Sequence, residues 1–252
     1  MARRFFVKEN DFKTDNNILE MWGPEVHHIN VLRHKIGDKI KVNNYTIRII
    51  KMNNDTLYGE IIEVDKDTKQ NEIVNITLYQ SYLKSDKMEF VVQKAVELGA
   101  KKIVPMITYN CVVKLDDKDK VKKLDRLNKI SIEASKQCGR SDIVSIEEII
   151  DIKEKQGFLT NISDNDIIIF AYENSNKELK EVISNLKDEL TKNKKHYNLA
   201  IVIGPEGGFD KKDIEIFEKL NNIYMVSLGK RILRAETASL NLLSVLTYEL
   251  DI

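Results

Sequence analysis

Two apolar, β-branched runs, each breaking off into a glycine loop close to the C-terminal end, limit what this chain can fold into more than any other feature. The upstream one is Ala200–Phe209, AIVIGPEGGF, and the second is Ser227–Leu242, SLGKRILRAETASLNL. The first stops at a Gly-Pro turn followed by Gly207 and Gly208. The second starts at a strand end, turns on Gly229, carries two arginines and one carboxylate through a loop, and enters an apolar helix. Glycines at 204, 207, 208 and 229 let a backbone approach a ligand closely or take a positive φ. An adenosine-sized pocket made of main-chain N–H and C=O groups requires that freedom. No Walker loop and no G-x-G-x-x-G fingerprint occurs. Alone, GPEGG reads equally as a tight turn; paired with LGxRILRxETA it reads as a ligand site.

The surrounding pattern alternates. Strands are predicted at Ile73–Tyr82, Ile103–Thr108, Asp166–Ala171 and Ala200–Ile203, with a short apolar segment at Val144–Ile150. Helices are predicted at Asp86–Leu98, stopped by Gly99, then at Val121–Gln137, Lys177–Leu190, Lys211–Leu220 and Ala238–Leu250. Asp210 is a plausible cap for the fourth helix, with Asp213 in its first turn. Such alternation implies an α/β fold with a mainly parallel sheet covered on both faces and ligand sites at the carboxyl ends of strands. The last helix is apolar on more than one face, so it is either buried or shared with a partner chain.

Residues 1–70 read differently, as a small β-barrel. Short alternating segments, Phe5–Val7, Lys39–Val42, Thr46–Ile50 and Thr56–Ile62, are separated by turn signals, with hairpin turns expected at Gly37-Asp38 and Asn53-Asn54-Asp55. Pro24–Arg33 is read as a short helix. The polar stretch Asp65–Glu72, DKDTKQNE, is the natural linker to a second domain at 71–252. Arg3, Arg4, Arg33, His34 and Lys35, interleaved with Phe5 and Phe6, are either a phosphate-and-stacking surface for RNA or a solvated basic edge. With 40 basic and 40 acidic residues the formal charge is zero, so any nucleic-acid surface is a local patch. Cys111 and Cys138 have no metal-ligand spacing, and the adjacent His27 and His28 lack a carboxylate or cysteine cluster, so no metal is expected. The two cysteines suit a reducing compartment, making the cytoplasm the default location. No apolar run is long enough to suggest a membrane span.

GPEGGF and LGKRILRAETA at Leu228–Ala238 resemble the paired loops of the SPOUT methyltransferases, specifically the ribosomal small subunit methyltransferase E family. KSDKMEFVVQKAVELGAKKIVPM at Lys84–Met106, IEASKQCGR at Ile132–Arg140, RRFF and HHINVLRHKIGD at His27–Asp38 extend the match, with Asp151–Asn198 its weakest part. The resemblance implies a C-terminal trefoil-knotted domain binding S-adenosylmethionine, a PUA-like RNA-binding barrel before it, and a homodimer formed through the knotted domain and last helix. It further implies methylation of N3 of a uridine in the decoding region of 16S rRNA. The cofactor pocket it implies comprises Ala171, Tyr172, Glu173, Ile203, Gly204, Glu206, Gly208, Leu228, Gly229, Arg231, Ile232, Leu233 and Ala238. Arg140 is implied to reach toward the other subunit's site, and Lys136 and Gln137 are either RNA contacts or ordinary surface residues. Ser85 stands where a glycine is usual, Asn110 where an arginine is usual, and Val144 where a proline is common. None of the three is expected to touch the two glycine loops.

Transfer from a sulfonium to N3 is an in-line displacement that must also manage the N3 proton. Either a base removes it or cations stabilise the developing anion. Arg234 and Arg140 are the candidate cations. Glu236 is either the base or, the favoured reading, a structural partner of Arg231 or Arg234. A tRNA methyltransferase of the same superfamily and a noncatalytic RNA-binding assembly factor are the competing readings.

Overall fold

The computed structural model describes residues 3–65, 74–193 and 196–250, so the expected linker Asp65–Glu72, apart from Asp65, lies outside the described residues. The chain divides into two units. One is Met1–Asn71 with Ser135–Ile143, and the other is Glu72–Ala134 with Val144–Ile252. Ser135–Ile143, which the sequence places in the second domain, falls in the first unit.

The first unit holds a six-stranded sheet built from β1 (Arg4–Phe5), β2 (Phe12–Asp15), β3 (Ile18–Trp22), β4 (Lys39–Val42), β5 (Tyr45–Met52) and β6 (Thr56–Val64), in the order β1-β4-β5-β6-β3-β2. All pairs are antiparallel except β1 with β4. The inward residues Phe5, Leu19, Met21, Ile40, Val42, Ile47, Ile49 and Leu57 form a fully buried core closed by Val26 and Ile29 of α1 (Pro24–Val31). The Asn53 turn forms as expected, its side-chain oxygen accepting from the amides of Asp55 and Thr56. Gly37-Asp38 is not a hairpin turn; it leads from α1 into β4. The β2–β3 hairpin, absent from the sequence reading, turns on Asn16 and Asn17 at φ 45° and 65°, the paired left-handed conformation of a tight hairpin.

Two expected RNA contacts are instead buried in ion pairs. Arg4 is 3% exposed, its guanidinium bonded to the Asp65 carboxylate at 2.6 Å and to the Asn43 carbonyl. Lys136 is 7% exposed and pairs with Glu25 at 2.9 Å. A long cationic side chain can be buried once a carboxylate meets its head, and these partners are remote in sequence. Arg3, Arg33 and Gln137 are exposed. The Arg140 side chain pairs with Asp142 at 3.3 Å.

The second unit is a seven-stranded sheet in which every registered pair is parallel: β10-β8-β7-β12-β11-β13, with β9 beside β8. The strands are β7 (Val74–Ser81), β8 (Lys102–Ile107), β9 (Ser145–Ile146), β10 (Ile150–Asp151), β11 (Ile167–Ala171), β12 (Tyr197–Ile203) and β13 (Ile223–Val226). Their near-continuous burial is what a parallel sheet covered on both faces demands. The period of two divides them cleanly. Ile76, Leu78, Ile169, Leu199 and Ile201 join one core, with residues of α2 (Lys87–Glu97), α5 (Leu179–Asn193) and α7 (Ala235–Leu250). Tyr79, Ile168, Phe170, Ala200 and Val202 join the other, with α4 (Lys155–Ser163) and α6 (Lys211–Phe217). The remaining helix, α3 (Asp117–Cys138), starts about one turn before its expected position.

The sequence reading missed α4 and placed the start of α7 three residues late. α7 is held to the sheet by Ser239, whose hydroxyl donates to the fully buried Gln80 side-chain oxygen. Farther along, Thr247 donates to the Leu98 carbonyl at the end of α2, at 2.7 Å.

Candidate functional site

Three neighbouring parallel strands, β12, β11 and β13, end at Ile203, Ala171 and Val226 on one edge of the sheet. The loops that follow them converge. In the first, a methyl group on Gly204 would lie 2.9 Å from the Phe209 ring, which itself stacks on Phe170 with centroids 4.3 Å apart. Glycine is needed there for close approach. Gly208 is needed for conformation: its φ is +70° and its N–H donates to the Pro205 carbonyl at 3.0 Å.

The loop then ends in a reciprocal cap. Asp210 accepts from the Lys212 amide at 2.9 Å while Asp213 accepts from the Asp210 amide at 2.8 Å, and the other Asp213 oxygen takes the Tyr109 amide at 3.1 Å. Burial pushes the Asp213 carboxyl above its ordinary range despite those donors.

In the second loop the Ser227 amide donates to Lys177 and its hydroxyl to the Gly229 carbonyl. The Arg234 carbonyl takes the Ala238 amide at 2.8 Å, starting α7.

A cavity of about 590 Å³ lies against Ile203–Phe209 and Ile232–Ala235, and a smaller one of about 140 Å³ against Ser227–Leu233; both touch Ala171, Glu173, Ile232, Leu233 and Ala238. Ile203, Gly204, Glu206 and Gly208 line the larger, and Tyr172, Leu228, Gly229 and Arg231 the smaller, so all the residues expected at the cofactor are brought together. The walls are largely glycine main chain and apolar side chains, with Ile232 standing 88% exposed at the rim. Such a volume and lining suit a nucleoside-sized ligand held by backbone groups.

Of the expected catalytic residues, Arg234 lines the larger cavity with its side chain exposed. Glu236 does not. It sits in the first turn of α7 and pairs with Lys87 at 3.3 Å, not with Arg231 or Arg234. Arg140 belongs to the other unit. The carboxylates that line the cavity are Glu173 and Glu206.

Lys84 and Lys87, unassigned in the sequence reading, also line the cavity; the quoted segment KSDKME contained both. One departure does touch a loop, contrary to expectation. The Asn110 amide donates to the Gly208 carbonyl at 3.3 Å and, more weakly, to that of Gly207 at 3.5 Å. Ser85 adopts φ +57°, the left-handed conformation for which glycine is usual, and Val144 is buried in the core. No group of three or more potential metal ligands occurs among the described residues, and no described helix is long and apolar enough to cross a membrane. The arrangement can therefore bind a nucleoside-like ligand through main chain and place Arg234, Lys84 and Lys87 beside it.

An RNA methyltransferase domain model matches residues 69–247. The ribosomal RNA small subunit methyltransferase E of Bacillus subtilis is 33% identical over 236 residues, covering 91% of this chain and 90% of that one. Its counterpart in Mesomycoplasma hyopneumoniae is 32% identical over 242 residues, covering 96% and 97%. Among solved structures, the ribosomal RNA small subunit methyltransferase E from Neisseria gonorrhoeae bound to S-adenosylmethionine superposes with a TM-score of 0.76 at 30% identity. The superposition covers 98% of this chain and 97% of that one.

Proposed function

The chain belongs to the ribosomal RNA small subunit methyltransferase E family, and from that premise we propose that it uses S-adenosylmethionine to methylate N3 of one uridine in the decoding region of 16S rRNA. The observation that carries the reading is the cavity at the ends of β11, β12 and β13, whose walls are the two glycine loops.

The cofactor, when bound, supplies an electrophilic methyl group. Everything else falls to the protein. Ile203, Gly204 and Gly208 offer main-chain donors and acceptors for a purine and ribose, and Leu228, Ile232 and Leu233 offer apolar cover. Arg234, exposed at the cavity, is placed to stabilise negative charge developing on the uracil as the N3 proton leaves. Glu236, held by Lys87 away from the cavity lining, acts structurally in this reading. Arg140 remains the candidate for a contribution from a second subunit.

The finer architecture belongs to the same proposal. The strand order, with β11 between β12 and β13 and both glycine loops at one edge, is consistent with a C-terminal trefoil knot. The six-stranded N-terminal sheet is consistent with a PUA-like RNA-binding barrel bearing Arg3 and Arg33. A homodimer through α7, working in the cytoplasm, completes it.

The test is methyl transfer from labelled S-adenosylmethionine to small ribosomal subunits from a strain lacking this gene, followed by nucleoside mass spectrometry. N3-methyluridine at a single decoding-region site is expected. Cofactor binding without incorporation into the subunit would overturn the substrate, and tRNA would be tried next.

A further inference from the structure

We propose that Lys87 is a positioning residue for methyl transfer, holding the two ligand loops in register through one ammonium shared by two carboxylates. The inference rests on the methyltransferase reading above. Lys87 is the first residue of α2, and its Nζ lies 3.3 Å from Glu236 Oε1 and 3.9 Å from Glu206 Oε1. Glu206 is the centre of the GPEGG loop. Glu236 is two residues past Arg234 on α7. One ammonium thus connects the main-chain wall of the cavity to the segment that aims the arginine.

Partial burial strengthens this connection relative to a surface ion pair. The three side chains are only 27%, 18% and 16% exposed, and the second carboxylate oxygen of both glutamates is buried with no hydrogen-bond partner among the described residues. Two carboxylates converging on one site repel, and partly buried charges left without a counter-ion are costly. The Lys84 amide donates to Glu206 Oε1 at 3.2 Å from the turn in which Ser85 takes its left-handed conformation, so that turn delivers a second donor to the same carboxylate. α2 is a firm base for the contact: its Met88, Val91, Val92, Ala95 and Val96 are buried, and its far end is bonded to α7 through Thr247. Without the Lys87 charge, the GPEGG loop and the start of α7 separate while the rest of the fold stands.

The test compares Lys87→Met, Lys87→Arg and Glu236→Gln with the wild type. Calorimetry gives the S-adenosylmethionine Kd, saturating turnover gives kcat, and thermal melts monitor folding. Lys87→Met should raise Kd about tenfold, equivalent to ~1.4 kcal/mol, and lower kcat at saturating cofactor because Arg234 is displaced. Lys87→Arg, which keeps the charge, should restore most of both. The double variant Lys87→Met/Glu236→Gln should bind no worse than Lys87→Met alone, since the shared contact is already gone. Wild-type Kd and kcat in Lys87→Met would overturn the proposal, as would a Lys87→Arg protein impaired as severely as Lys87→Met. Should Lys87→Met fail to fold, an unchanged Kd and kcat in Glu236→Gln would overturn it instead. A wild-type protein that binds cofactor yet methylates no ribosomal RNA would sink the functional reading, while the Kd comparison still decides Lys87.

Discussion

Three glycines lie within five residues of one another in GPEGG, and the structure assigns each a different tolerance for a methyl group. At Gly204 a Cβ would sit 2.9, 3.1 and 3.3 Å from three atoms of the Phe209 ring. The ring cannot retreat freely, because it stacks on Phe170 at 4.3 Å and meets Phe217 at 5.9 Å. Overpacking of this kind costs about 1–3 kcal/mol, and the displaced strand-to-loop junction is itself a wall of the cavity. At Gly207 a Cβ meets only Asn110, at 3.4 Å and beyond, which is ordinary contact, so alanine should change stability by less than about 0.5 kcal/mol. At Gly208 the φ of +70° makes alanine cost about 1–2 kcal/mol through the backbone alone, and the new methyl would also lie 3.1 Å from Glu173 Oε1. Calorimetric titration with S-adenosylmethionine, alongside thermal melts, should therefore rank Gly207→Ala near wild type. Gly204→Ala and Gly208→Ala should each bind about tenfold or more weakly. A Gly207→Ala protein damaged as much as Gly204→Ala would refute the steric argument.

Arg234→Ala should abolish methyl transfer while leaving the melting temperature near wild type, because the side chain is exposed; unchanged turnover would remove Arg234 from the mechanism. Ser239→Ala leaves the buried Gln80 oxygen without its donor and should cost about 1–3 kcal/mol in urea titrations. Gln80→Leu should cost less, since Ser239 retains the Ala235 carbonyl at 3.0 Å; the reverse order would contradict this account. Burial pushes the Asp65 carboxyl up, but hydrogen bonds from Arg4 and Lys41 outweigh it and leave the pKa below its ordinary value. Its stabilisation is therefore complete above the unfolded carboxylate range, about pH 4, and is lost as pH falls through the lower folded value. Asp65→Asn should accordingly destabilise the protein at pH 7 by about 1–3 kcal/mol, with the difference shrinking below pH 4. A pH-independent difference would show that the charge is not responsible.

What the sequence revealed was local. The GPEGGF turn, the Asp210 cap and the unbroken apolar run that buries Leu199–Ile203 are decided by neighbours along the chain, so they can be read from it. α4 is hard to read from the sequence because Gly157 interrupts it and, among its described side chains, only Phe158 and Ile162 are fully buried. α7 was placed late because its first turn carries Glu236 and Thr237 before the apolar period sets in. The paired cations, buried or half-buried, were illegible for a stronger reason. Arg4, Lys136 and Lys87 are fixed by carboxylates at positions 65, 25, 206 and 236, and no spacing rule relates residues so distant. Asn110 and the GPEGG loop met for the same reason, through tertiary packing.

The order of strands across the second sheet also governs when the protein becomes competent. β7 is the first strand of its unit to be synthesised, yet its partner on one side is β12, with Asn75 and Asn198 facing each other across 123 residues of chain. The cavity needs still later segments, since the loop that follows β13 and the start of α7 supply part of its wall. A ribosome-bound chain that has emitted only β7 to β11 has no cofactor site. Pairings of such long sequence separation are slow to close, because loop entropy must be overcome before contacts compensate it. Cofactor binding thus reports completion of the whole second unit and can serve as the readout for its folding kinetics.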